Sequence, residues 1–171
     1  MKYRRAILFR QLGPSQMPIK PLDLASSLYY LKPTYETRPE PLLNMEFDER
    51  RKQYDASKIL TRLVSIPKTS DLIMYVMGED IYAGNLNFVF GVALESFGVA
   101  LLSTHRLRKN ASWKLYEERT FKEAAHEIGH LLGLSHCFNH TCLMNFSNSI
   151  DEVDTKLPML CKECMDKLGL R

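Results

Sequence analysis

No stretch of this 171-residue chain approaches the length of a bilayer-spanning helix. There is no internal repeat and no low-complexity segment, and the formal net charge is only +3. These absences leave a membrane span, a repeat array and a strongly electrostatic partner without support. The basic residues are scattered: Lys2, Arg4 and Arg5 sit near the N-terminus, and Arg50, Arg51 and Lys52 are expected to open a helix. The apolar run from Ala6 to Phe9 is too short for a signal peptide, and no small-residue cleavage site follows. The expectation is a cytoplasmic protein. Cysteine is absent before position 137, and all four cysteines lie between 137 and 164.

What is present describes an ordinary globular chain. Hydrophobic residues make up 45% and charged residues 25%, enough for one compact domain with a useful core. Residues 6–9, AILF, read as a buried strand. Residues 13–21, with three prolines, read as a loop, and Leu24, Leu28 and Leu31 then fall at helical spacing. Residues 33–41, PTYETRPEP, read as a proline-rich connection. From Asp48 a helix is expected, with Ala56, Ile59, Leu60, Leu63 and Val64 as its apolar stripe. Residues 71–77, 86–92 and 97–104 are strand candidates rich in Val, Ile and Phe. Residues 120–123, TFKE, have the form of a capping box, and Phe121, Ala125, Ile128 and Leu132 give the next helix a core-facing stripe. The order of elements predicts an α+β fold, a mixed sheet backed by helices. A lobe boundary is expected at Gly133, separating residues 1–133 from a small loop-rich lobe at 134–171.

The most informative stretch is HEIGHLLGLSH, residues 126–136. At about 100° per residue, His126 and His130 project from nearly the same helix face. Two such imidazoles can hold one metal ion without bending the helix. Glu127 points beside that direction, placed to take a proton from metal-bound water rather than to ligate. A continued helix would carry His136 away, but Gly133 can adopt the positive φ that turns the chain and returns a third imidazole. Three neutral histidines leave a fourth position open, as at a catalytic zinc. Lone histidines on helices are usually structural, but at this chain's residue frequencies the full spacing arises by chance in roughly one in 100,000 chains of this length. His105 and His140 are read as ordinary surface residues.

Cys137, Cys142, Cys161 and Cys164 follow the pattern C-x4-C, eighteen residues, C-x2-C. Two close pairs of thiolates suit a tetrahedral structural zinc. Two disulfides are the alternative, disfavoured in a reducing compartment. Two zinc ions per chain are therefore expected, one catalytic and one structural. Because Cys137 adjoins His136, the second site is expected to fix the chain that delivers the third imidazole.

The histidine motif runs directly into CFNHTCLM and then C-x2-C. This combination resembles the archaemetzincins, or archaelysins, zinc peptidases of the metzincin clan. The resemblance is carried mainly by residues 126–164, with weaker likeness in RKQYDASKIL and LNFVFGVAL. It implies that His126, His130 and His136 bind the catalytic zinc. It further implies that Glu127 is the general base and acid, and that the four cysteines bind a second zinc. Met144 matches the methionine floor beneath the catalytic metal. The gap from Met144 to Cys161 is sixteen residues, one fewer than the family pattern, and no tyrosine follows Met144 closely. Asn145, Ser147 and Asn148 remain as oxyanion-side candidates or turn residues.

The resulting expectation is a monomeric zinc metallopeptidase acting on a peptide or protein substrate through zinc-bound water activated by Glu127. The substrate would pair with an exposed edge strand, for which residues 86–92 are the candidate. A zinc-dependent peptide-binding module with little catalysis is one alternative, against which the intact Glu127 argues. A zinc ribbon touching nucleic acid is another, against which the modest charge and the lack of aromatic–basic interleaving near the cysteines argue.

Overall fold

The central strand of the main sheet, Leu72–Met77, shows how the layers arise. The computed structural model describes residues 5–170, so that Lys2 and Arg4 lie outside the described residues. Among the described residues the order is β1 (Arg5–Leu12), α1 (Ile19–Leu28), β2 (Leu31–Glu40), β3 (Phe47–Asp48), β4 (Gln53–Asp55) and α2 (Ala56–Leu63). There follow β5 (Leu72–Met77), β6 (Ile81–Tyr82), β7 (Gly91–Leu94), β8 (Val99–Ser103), α3 (Trp113–Leu131), α4 (Ile150–Thr155) and α5 (Lys162–Leu168). The main sheet has the order β2-β1-β5-β8-β7, parallel except for β7, which runs antiparallel to β8 along one edge. All six residues of β5 are buried, as a parallel strand covered on both faces requires. Leu72, Met74 and Val76 join Phe9, Ala100 and Leu102 against α1 and α3. Ile73, Tyr75 and Met77 point the other way, to Ile59, Leu60 and Leu63 of α2. This is the expected mixed sheet backed by helices.

Several expected boundaries are corrected. The 13–21 segment is a loop only as far as Pro18, the N-cap of α1. Pro21 lies in the first turn, where amides have no intrahelical acceptor and a missing N–H is harmless. The buried side of α1 is Pro21, Leu22, Ala25 and Ser26, whereas Leu24 is exposed and Leu31 opens β2. Residues 33–40 are strand, paired parallel to β1 at the sheet edge, which is where a sheet tolerates proline. Helix α2 starts at Ala56, not Asp48. The Asp55 carboxylate caps it, accepting from Ser57 N at 2.9 Å and Lys58 N at 3.3 Å. Arg50, Arg51 and Lys52 therefore sit in the turn of the β3–β4 hairpin, with Lys52 at φ 57°. Residues 86–90 are irregular, and the strand expected over 86–92 is confined to Gly91–Leu94.

Helix α3 also begins earlier than the TFKE pattern implies. Ser112 caps it, its hydroxyl accepting from Leu115 N at 3.2 Å. Thr120 is mid-helix, donating to Tyr116 O at 2.8 Å, and the Glu123 carboxylate is engaged elsewhere. The S/T-x-x-E spacing is simply an i, i+3 relation that also occurs inside helices. The helix ends where expected, with Gly133 at φ 95° just beyond it. The stretch that follows carries two short helices, and its Leu143, Met144, Leu160 and Cys164 enter the core beneath α1 and α3. No helix among the described residues is long and apolar enough to cross a membrane.

Candidate metal centre

His126 and His130 lie one turn apart near the end of α3, and the turn at Gly133 brings His136 back to them. One ring nitrogen from each lies within 4.8 Å of the others. The tautomers follow from the hydrogen bonds. His126 Nδ1 is 2.9 Å from Leu143 O, and His130 Nδ1 is 2.7 Å from Leu134 O. A carbonyl only accepts, so both Nδ1 atoms carry the proton. The two Nε2 atoms, both bare lone pairs, then face each other at 3.0 Å. Neither can donate to the other, so the contact is not a hydrogen bond. Two imidazole nitrogens on one tetrahedral zinc stand about 3.3 Å apart, so the spacing fits such an ion. Burial holds His126 well below the usual histidine range, helped by the Lys156 charge. His130 and His136 are lowered too, again chiefly by burial, so the rings are neutral and available as ligands.

Glu127 does not join this group of converging nitrogens. It is buried, and burial first, then the neighbouring Glu123 carboxylate, push its acid well above the ordinary range while Lys156 opposes. Its side chain lies under the start of β7: a Cβ on Gly91 would stand 2.7 Å from Glu127 Cγ and Oε1. The strand edge and the carboxylate are thus packed directly together, and only glycine permits it. Both line a cleft of about 410 Å³ with the three histidines, the loop at 88–90 and Phe146. The Phe146 ring also packs on His136, with centroids 5.1 Å apart.

Met144 is fully buried against α3. A Cβ added at Gly129 would fall 2.3 Å from Met144 Sδ and 2.9 Å from the Tyr29 hydroxyl. Tyr29 itself donates to Ala125 O at 2.7 Å. Alanine at 129 would gain about 1 kcal/mol of helix propensity. With Met144 and Tyr29 both buried, overpacking of about 3 kcal/mol outweighs that gain. Gly129→Ala is therefore expected to lower stability in urea titration, and an unchanged or raised midpoint would contradict the close approach.

The four cysteines also converge, with all sulfurs within 4.8 Å of one another. Cys137 and Cys161 are 3.7 Å apart, Cys142 and Cys164 3.8 Å. Disulfides would need about 2.05 Å, whereas two thiolates on a tetrahedral zinc stand about 3.8 Å apart. The donor set and spacing fit a zinc site built from four thiolates. Of the remaining candidates, Asn145 donates through Nδ2 to Cys137 O at 2.7 Å and is committed to holding the loop. Ser147 lines the cleft, and Asn148 donates its amide to Glu152. His105 and His140 are exposed and outside both clusters.

Sequence reasoning missed several residues around the site, Phe146 and Tyr29 among them. Gly91 and Gly129 carry a signal, since glycine inside a strand or helix marks a close approach. Lys156 carries none: its ammonium is fully buried, 2.6 Å from Glu123 Oε1.

With this geometry in view, the chain's likeness to known proteins is consistent. The family model for peptidase family M54 matches residues 24–169. An archaemetzincin of Aeropyrum pernix is 40% identical over 159 residues, 91% of this chain and 81% of that protein. The crystal structure of archaemetzincin from Methanopyrus kandleri has a TM-score of 0.87 at 31% identity, covering 96% of this chain and 93% of its own. That of a zinc-dependent peptidase from Methanocorpusculum labreanum has a TM-score of 0.82 at 31% identity, covering 95% and 99%.

Proposed function

The chain belongs to peptidase family M54 and is a zinc metallopeptidase, and on that premise we propose which residues perform the hydrolysis. His126, His130 and His136 hold the catalytic zinc, and Cys137, Cys142, Cys161 and Cys164 hold a second, structural zinc. The observation that carries this reading is the pair of unprotonated Nε2 atoms facing each other at 3.0 Å, each ring fixed by a backbone carbonyl. When bound, the first zinc supplies Lewis acidity to the scissile carbonyl and to the charge that develops on its oxygen. Glu127 takes the proton of the attacking water and delivers it to the leaving amine nitrogen. The extended substrate adds to the free edge of β7, whose Gly91 lies against Glu127, so the scissile bond passes beside the proton acceptor. Phe146 supports the His136 ring from the side.

The reading includes a monomeric, cytoplasmic member of the metzincin clan acting on a peptide or protein. Its lobes, 1–133 and 134–171, meet at Gly133. The test is metal removal. Purified protein is expected to contain about two zinc equivalents and to cleave members of a peptide library. Chelation should abolish cleavage, and added zinc should restore it. His130→Ala should lose one equivalent and all turnover. A His130→Ala protein that keeps both metals and its activity would sink the ligand assignment. Zinc-replete protein that binds peptides without cutting them would sink the catalytic one.

A further inference from the structure

Lys156 follows α4 and buries its whole side chain. A buried ammonium must spend its donors on protein acceptors. It has two: Glu123 Oε1 at 2.6 Å and Asn145 O at 3.4 Å. Anchoring α4 does not require this. Arg119 already grips Asp154 with two bonds of 2.6 and 2.7 Å, and Lys122 Nζ donates to Val153 O and Asp154 O at 3.3 Å. Nor does stability require it, because a well-packed apolar pair commonly replaces a buried ion pair at no loss. What the ammonium adds is a bridge from α3 to Asn145, the residue after Met144. The bridge continues: Asn145 Nδ2 donates to Cys137 O at 2.7 Å, and Cys137 is the next residue to His136.

We infer that Lys156 is a positioning residue for the third imidazole, acting from Glu123 through Asn145 to Cys137. The helix that carries His126 and His130 thereby sets the register of the loop that carries His136. This rests on His136 being a zinc ligand.

The holoenzyme tests it with a series of chelators of graded affinity, reading the zinc at each site, and with thermal melts. The variant that separates positioning from anchoring is Glu123→Leu with Lys156→Met, which keeps the volume and removes both charges. It is expected to melt near wild type but to bind the histidine-site zinc on the order of 10-fold more weakly, as loss of an outer-shell support does. The cysteine site should be unchanged. Asn145→Ala should weaken the same site. Combining it with the apolar pair should add little, because the two act in series. Wild-type zinc affinity in the apolar-pair variant would overturn the inference, as would fully multiplicative losses in the combination. If His136→Ala leaves the histidine-site affinity intact, the ligand assignment itself has failed. If His136→Ala weakens it and the apolar pair does not, only the relay has.

Discussion

Glu127→Ala is expected to retain both zinc ions and lose turnover by on the order of 10³-fold, the usual contribution of a positioned general base. The expectation follows from where the helix puts the residue. Glu127 is adjacent in sequence to a metal-group histidine but stays outside the set of converging nitrogens. Its removal therefore takes no ligand away. Its carboxylate is nearly buried beside Glu123 one turn earlier on α3, a pairing of like charges that destabilises. The space it leaves opens into the cleft rather than into a closed cavity, so little packing is lost. The melting temperature should be unchanged or raised, the stability–function trade-off common at active sites. Zinc analysis, a melt and steady-state kinetics on one preparation decide the matter. Retained turnover would remove Glu127 from the mechanism, whereas lost zinc would make it a ligand or its support.

The convergence of the three histidines and of the four cysteines was legible in the sequence because it acts through local spacing. His126 and His130 need only the helical repeat, and His136 needs only a turn, which Gly133 announces. The cysteine pairs are likewise close in the chain. The cleft wall was less legible. The strand expected over 86–92 is four residues near its end, because residues 86–90 are irregular and pack Phe88 and Phe90 into a cluster with Leu107, Tyr116 and Val153 instead of alternating across a sheet. Pro33 and Pro39 argued for a loop, yet an edge strand has one side with no ladder to break. The start of α2 was open to reading at Asp55, a good cap directly before the apolar stripe. Lys156, and the part Asn145 plays beside it, could not have been found. Their roles depend on contacts across 33 and 8 residues that no periodicity records.

Cys161→Ser should have the larger structural effect. A serine hydroxyl is a poor substitute for a thiolate, and structural zinc sites contribute on the order of 10 kcal/mol to folding. Even partial loss is expected to lower the melting temperature by on the order of 10 °C. The consequence reaches the other site through the backbone. Cys137 N donates to Met144 O at 2.9 Å, so one short loop ties Cys137, Met144 and His136 together. Releasing Cys161 frees its close partner Cys137, 3.7 Å away, and with it the chain that presents the third imidazole. The histidine-site zinc should then dissociate faster and turnover should fall, although no histidine has been touched. Zinc release monitored with a chromophoric chelator resolves the two sites by rate. If one equivalent is lost while the remaining zinc is held as tightly as in wild type and turnover persists, the cysteine cluster stabilises its own segment and nothing more.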